Sequence, residues 1–127
     1  MTVVAALLVL LVALEHVGLA LLETVYWTRA PGLWMSGLAP EAAQAAAGMA
    51  RNQAIVNGFL AAALLWTFTV RIPARRRNLR IVLLIGVLVA AGFGGIASRP
   101  LVFIAQGVPA VVTFLFVRFA DEWSGRA

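Results

Sequence analysis

The sequence predicts an all-α protein: one domain over residues 1–127, built as an integral membrane four-helix bundle. Three observations predict it. First, hydrophobic residues make up 63% of 127 positions and charged ones only 12%, with a mean hydropathy of +0.98. A soluble domain carries roughly 25% charged residues, and a disordered chain is far less apolar. Second, the few charges leave long windows that hold none. Third, the ten basic residues, all arginine, cluster at alternate ends of those windows.

The windows define the helices. Arg51 and Arg71 bracket 19 uncharged residues, Arg80 and Arg99 bracket 18, and Arg99 and Arg118 another 18. At ~1.5 Å per residue each window spans roughly 27–29 Å, close to one hydrocarbon thickness. The stretch from Met1 to Arg29 is equally apolar apart from Glu15, His16 and Glu23. Spans are therefore expected near 3–27, 52–70, 81–98 and 100–118. Buried strands make only shorter apolar runs. The first span lacks the basic start and uniform apolar middle of a cleaved signal peptide.

Arginine placement sets the orientation. Arg71, Arg75, Arg76, Arg77, Arg80, Arg118 and Arg126 fall on one side, against Arg29, Arg51 and Arg99 on the other. The richer side is cytoplasmic by the positive-inside rule, which places both termini and the basic 71–80 loop there. The formal charge of +5 is then a matter of topology and lipid headgroups, with no nucleic-acid partner expected. No aromatic residue interleaves the 71–80 arginines, as a single-strand binder would require.

Residues 28–51 form the one long outer loop. Pro31-Gly32 and Pro40 mark turns, and the alanine-rich stretch after Pro40 favours a helix that either stands alone or runs on into the second span. Tyr26, Trp27 and Trp34 sit where an interfacial aromatic belt belongs, and Trp123 is the expected inner counterpart.

Polar groups within the spans mark the candidate site, because a bilayer makes them costly. Glu15 and His16 fall mid-span and Glu23 near the outer end, with His16, Ala20, Glu23 and Trp27 on one helical stripe. Asn52, Gln53 and Asn57 open the second span, and Gln53 and Asn57 share a face. Gln106 opens the fourth, so counting from the flanking arginines places Glu23, Asn57 and Gln106 at one depth. Gly92, Gly94 and Gly95 in the third span let helices approach or leave room for a ligand. With one His and no Cys, no metal site or cofactor is expected.

These segments resemble a known family. LEHVGLALLETVYW (14–27), ARNQAIVNGFLAAAL (50–64), AAGFGGIA (90–97) and FIAQGVPAVVTFL (103–115) are similar to a family of small bacterial four-helix membrane proteins, catalogued as domain of unknown function 1304. The resemblance covers nearly the whole chain and implies a location in the bacterial inner membrane. It rests on Glu15-His16, Glu23, Trp27, Asn52-Gln53, Asn57-Gly58-Phe59, Gln106 and Pro109. The chain departs at Thr24-Val25, where Met-Phe is usual, and at Ala54-Ile55-Val56, where Gly-Leu-Tyr is usual. The lost Tyr removes a hydroxyl from the polar group. The family name confers no activity.

Three functions compete. The first is a metal-independent membrane cyclase or isomerase acting on a lipophilic, isoprenoid or terpenoid-like substrate. Glu15, His16 and Glu23 would supply the acid and base, because a carboxylic acid kept neutral in low dielectric can donate a proton. Tyr26, Trp27, Phe59 and Trp66 would wall the substrate and stabilise a cation, and Asn52, Gln53, Asn57 and Gln106 would bind it. A metal-dependent terpene synthase is excluded, since one Asp cannot build a diphosphate-binding metal cluster. The second is a proton-coupled transporter or channel that works as a homo-oligomer. The third is a non-catalytic subunit that binds membrane lipids.

Overall fold

The computed structural model describes residues 3–97 and 100–123, except the side chains at 94–97, 100, 102, 103 and 120–123. The expected roles of Arg99, Arg126, Trp123, Gly94 and Gly95 fall outside what is described. The described residues are helical with short connections. Helix α1 runs Val3–Leu21 and continues as a π-turn over Leu22–Tyr26. Short helices α2 (Ala30–Ser36) and α3 (Pro40–Ala45) cap the end of the bundle at the π-turn. Helix α4 (Ala47–Trp66) closes in a 3₁₀ turn at Thr67–Thr69, and α5 (Pro73–Ala97) and α6 (Pro100–Trp123) complete the chain.

Each boundary has a local cause. Pro31 and Pro40 stand in the first turns of α2 and α3, where the missing N–H is no loss. Gly37 ends α2 with φ 68°, a left-handed conformation that glycine adopts without steric cost, and its N–H returns to Leu33 O. Ala46 separates α3 from α4, so the helix that begins at Pro40 does not run unbroken into α4. The basic segment is not the loop that the sequence suggests. Pro73 starts α5, and Ala74 through Arg80 form its first turns, since alanine and arginine both favour a helix.

Helix α1 packs against α4 on one side and α6 on the other, α5 packs on α6, and α4 and α5 touch sparsely. The core joins Ala5, Val9, Val12 and Ala13 of α1 to Leu64 of α4, Leu84 and Val87 of α5, and Ala110 and Val117 of α6. On α4 the buried positions are Ala50, Ala54, Asn57, Ala61 and Leu64, alternating steps of four and three. Steps of that kind keep one narrow stripe toward α1. Among the described residues, the α1–π-turn unit Val3–Tyr26, with hydropathy 2.4, is the one helix long and apolar enough to cross a membrane. Ile104–Phe119 is a shorter apolar helix.

Two side-chain bonds set the helix registers. Asn57 bonds to Glu23, so α1 and α4 run antiparallel with these residues level. The Thr113 hydroxyl lies 2.7 Å from Pro109 O and 3.5 Å from Leu8 O, so Thr113 of α6 is level with Leu8 of α1. Seven residues back along α6 and seven forward along α1, Gln106 is level with Glu15. By the same count the start of α6 at Pro100 is level with Leu21, short of the π-turn at Leu22–Tyr26.

Candidate functional site

The polar residues form two layers along α1. The outer layer is Glu23 with Asn57. The Asn57 amide Nδ2 donates to Glu23 Oε2 at 2.8 Å, and Asn57 is only 7% exposed. Glu23 sits inside the π-turn. A π-turn inserts one residue into the helical register and recurs at functional positions. The Thr24 hydroxyl occupies Ala20 O at 2.6 Å in the same turn.

Above this pair, α2 and α3 close the outer end. The Trp27 indole Nε1–H donates to Ala43 O at 2.9 Å, tying the end of the π-turn to α3. Gly32 approaches the π-turn's last carbonyls so closely that a Cβ would stand 2.4 Å from both Tyr26 O and Trp27 O. Arg29 N–H bonds back to Tyr26 O, and the Arg29 guanidinium covers the Tyr26 ring at 5.8 Å. A ring face already holding a cation is a poor wall for a second one, which leaves Trp27, four residues after Glu23, as the nearer candidate wall.

The inner layer is Glu15, His16 and Gln106. His16 is 1% exposed, and its Nδ1–H donates to Val12 O one turn back at 2.9 Å. A carbonyl only accepts, so Nδ1 carries the proton of this bond. Glu15 carries a buried Oε2 with no hydrogen-bond partner. Gln106 is buried at the same level. The level shared by Glu23, Asn57 and Gln106 in the sequence reading is therefore corrected. Gln106 lies eight residues deeper along α1, about 12 Å at ~1.5 Å per residue.

Other candidates turn away. Asn52, Gln53, Phe59 and Trp66 are exposed on α4, off the stripe that meets α1. Gln53 shares a helical side with Asn57, but it lies far enough off the stripe to escape burial. Gly92 lines no tight contact, since a Cβ there would meet nothing within 4 Å. The same is true of Gly58, so the flank of α4 beside Asn57 is open. Among the described residues, no group of three His, Asp or Glu is placed to hold a metal.

Sequence reasoning missed Arg80, which is fully buried. Its Nε donates to Thr67 Oγ1 at 2.8 Å, Thr67 donates to Leu64 O at 2.6 Å, and the guanidinium lies 4.3 Å over Phe68. This anchor joins α5 to the end of α4. The signal was present as Thr67-Phe68 at the end of an apolar run facing the arginine cluster.

Fold and site together define a small all-helical protein in which a carboxyl–amide pair bridges a long apolar helix and its neighbour. The chain belongs to the family described as protein of unknown function (DUF1304), which it matches over residues 10–118. No curated protein and no solved structure matches it.

Proposed function

We propose that this chain is a multi-pass membrane protein whose Glu23–Asn57 pair offers a proton-donating carboxyl to a lipophilic, isoprenoid-like substrate. The membrane part of the reading is supported by large apolar side chains facing outward on all four long helices. Leu11 is 54% exposed on α1, Ile55 72% on α4, Val82 66% on α5 and Ile104 56% on α6. Water would penalise this surface, and soluble monomers rarely expose contiguous patches of more than a few hundred Å². Lipid tails would not. The spans are the four long helices, with the arginine-rich ends of α4, α5 and α6 on the cytoplasmic side.

The 2.8 Å bond from Asn57 to Glu23 carries the catalytic part. It occupies Oε2, which leaves Oε1 to hold the transferable proton and fixes its direction. In a proton-initiated cyclisation, that proton passes to an alkene carbon, and the alkene π pair forms the new C–H bond. A second alkene closes on the resulting cation through a C–C bond. Loss of a proton to the carboxylate then restores the acid. The sum is an isomerisation that needs no oxidant, metal or cofactor. Trp27 is the wall for the cation. His16, enclosed and tied to Val12 O, holds the core of α1 rather than touching substrate.

The test uses membranes bearing the full chain, supplied with polyprenyl alcohols and diphosphates and analysed by mass spectrometry for new isobaric products. Glu23→Gln should lower product formation by roughly 10²–10⁴-fold, the usual worth of a general acid. Unchanged product with Glu23→Gln refutes the reading.

A second reading, proton-coupled transport by an oligomer, is favoured by the two polar layers stacked along α1. It requires proton or solute flux in liposomes between pH 5 and 8, and an impermeable preparation eliminates it.

A further inference from the structure

The inner end of the bundle carries a groove far from the Glu23–Asn57 pair. Its volume is about 490 Å³, and it lies where the end of α4 passes through the 3₁₀ turn into α5. One part of its lining is basic, from Arg71 and Arg75. Another is apolar, from Trp66, Val70, Ile72 and Leu79. Thr69 completes it, with its hydroxyl already donated to Trp66 O at 2.8 Å.

The basic part is unspent. Arg71 and Arg75 are exposed, and neither makes a hydrogen bond or ion pair among the described residues. Their neighbours differ: Arg80 bonds to Thr67, and Arg76 reaches Val70 O at 3.5 Å. The groove also opens at the start of α5, a helix of 25 residues. Ile72 and Arg75, on either side of Pro73, both line the groove, so the positive end of the helix dipole lies beside it. Two guanidinium groups beside a helix start form a receptor for a phosphate. Trp66 and Ile72, 57% and 59% exposed, extend the apolar side outward from it.

We propose that this groove is a binding site for an anionic phospholipid of the cytoplasmic leaflet, with the phosphate on Arg71 and Arg75. One acyl chain runs along Trp66, Val70, Ile72 and Leu79. The charge selects an anionic headgroup over a zwitterionic one, and the adjoining apolar wall selects a lipid over a free phosphate. The proposal rests on the membrane reading above, but not on the chemistry at Glu23.

The test begins with carbonate washing of membranes that contain the full chain. Release of the protein into the wash overturns the membrane reading and this site with it. Protein that stays is purified in detergent and titrated with phosphatidylglycerol, phosphatidylcholine or inorganic phosphate, with bound lipid read by native mass spectrometry. Phosphatidylglycerol should bind in preference to phosphatidylcholine, and millimolar inorganic phosphate should not displace it. Arg71→Gln with Arg75→Gln should weaken that binding roughly tenfold to thirtyfold. Arg29→Gln with Arg51→Gln, an equal charge loss at the outer end, should leave it unchanged. Equal weakening by both pairs, equal binding of both lipids, or displacement by phosphate overturns the lipid site while the membrane reading stands.

Discussion

The bond between Glu23 and Asn57 should appear as a coupling energy between α1 and α4. The experiment is a double-mutant cycle of Glu23→Ala, Asn57→Ala and the double variant. At 2.8 Å the bond is at the short end for N–H···O, and Asn57 is almost fully enclosed. Interhelical hydrogen bonds in membranes average about 0.6 kcal/mol and reach about 1.7. A short, enclosed bond belongs in the upper half of that range, so the coupling should be about 1–1.7 kcal/mol. The two single losses should sum to more than the double loss by that amount. The assay is reversible unfolding in mixed micelles as dodecyl sulfate is raised, followed by helical circular dichroism. Glu23→Gln makes the decisive contrast, because its amide oxygen still accepts from Asn57. That variant should lose less than about 0.5 kcal/mol, the scatter of independent sites, while losing turnover. Additive single losses, within about 0.3 kcal/mol, would show that the pair does not act as a unit and refute the register drawn from it.

Substitutions at four other positions probe the frame around the pair. Gly32→Ala would place a methyl 2.4 Å from two carbonyl oxygens, so it should cost about 1–3 kcal/mol and red-shift tryptophan emission as the outer cap opens. A variant as stable as the parent would contradict that close approach. Trp27→Phe removes the bond to Ala43 O and should cost about 1 kcal/mol in the same unfolding assay. His16→Ala should cost about 2–5 kcal/mol through the void it leaves, whereas His16→Leu should keep both fold and turnover. Loss of turnover in a stable His16→Leu protein would instead make the imidazole a participant. Arg80→Lys should cost about 1–3 kcal/mol, because an ammonium reproduces neither the Nε donor to Thr67 nor the planar stack on Phe68.

Several features of this architecture were legible in residue order because their causes are local. Charge-free windows located the four long helices, since length and apolarity are counted directly along a chain. Glu15, His16, Glu23, Asn57 and Gln106 stood out because each interrupts an apolar run. Pro31, Pro40 and Pro73 all mark helix starts, yet the arginine run after Pro73 reads as a loop when charge is weighed above propensity. There the high helix propensity of alanine and arginine prevails, and α5 begins eight residues before its apolar window.

Depth and orientation were not legible in the same way. Counting inward from Arg51 and Arg99 assumes that all helices end in one plane. The contact from Thr113 to Leu8 O puts α6 lower along α1, and Gln106 drops to the level of Glu15. The stripe from His16 to Trp27 assumes a uniform 100° per residue, and the π-turn at Leu22–Tyr26 breaks it. Gln53 and Asn57 share a side, but α1 covers only a narrow stripe of α4, so one is buried and the other is not. Helix identity and helix length follow from residues close together in the chain. Which polar groups meet depends on register between helices, and register is set by groups 34 and 105 positions apart in the chain.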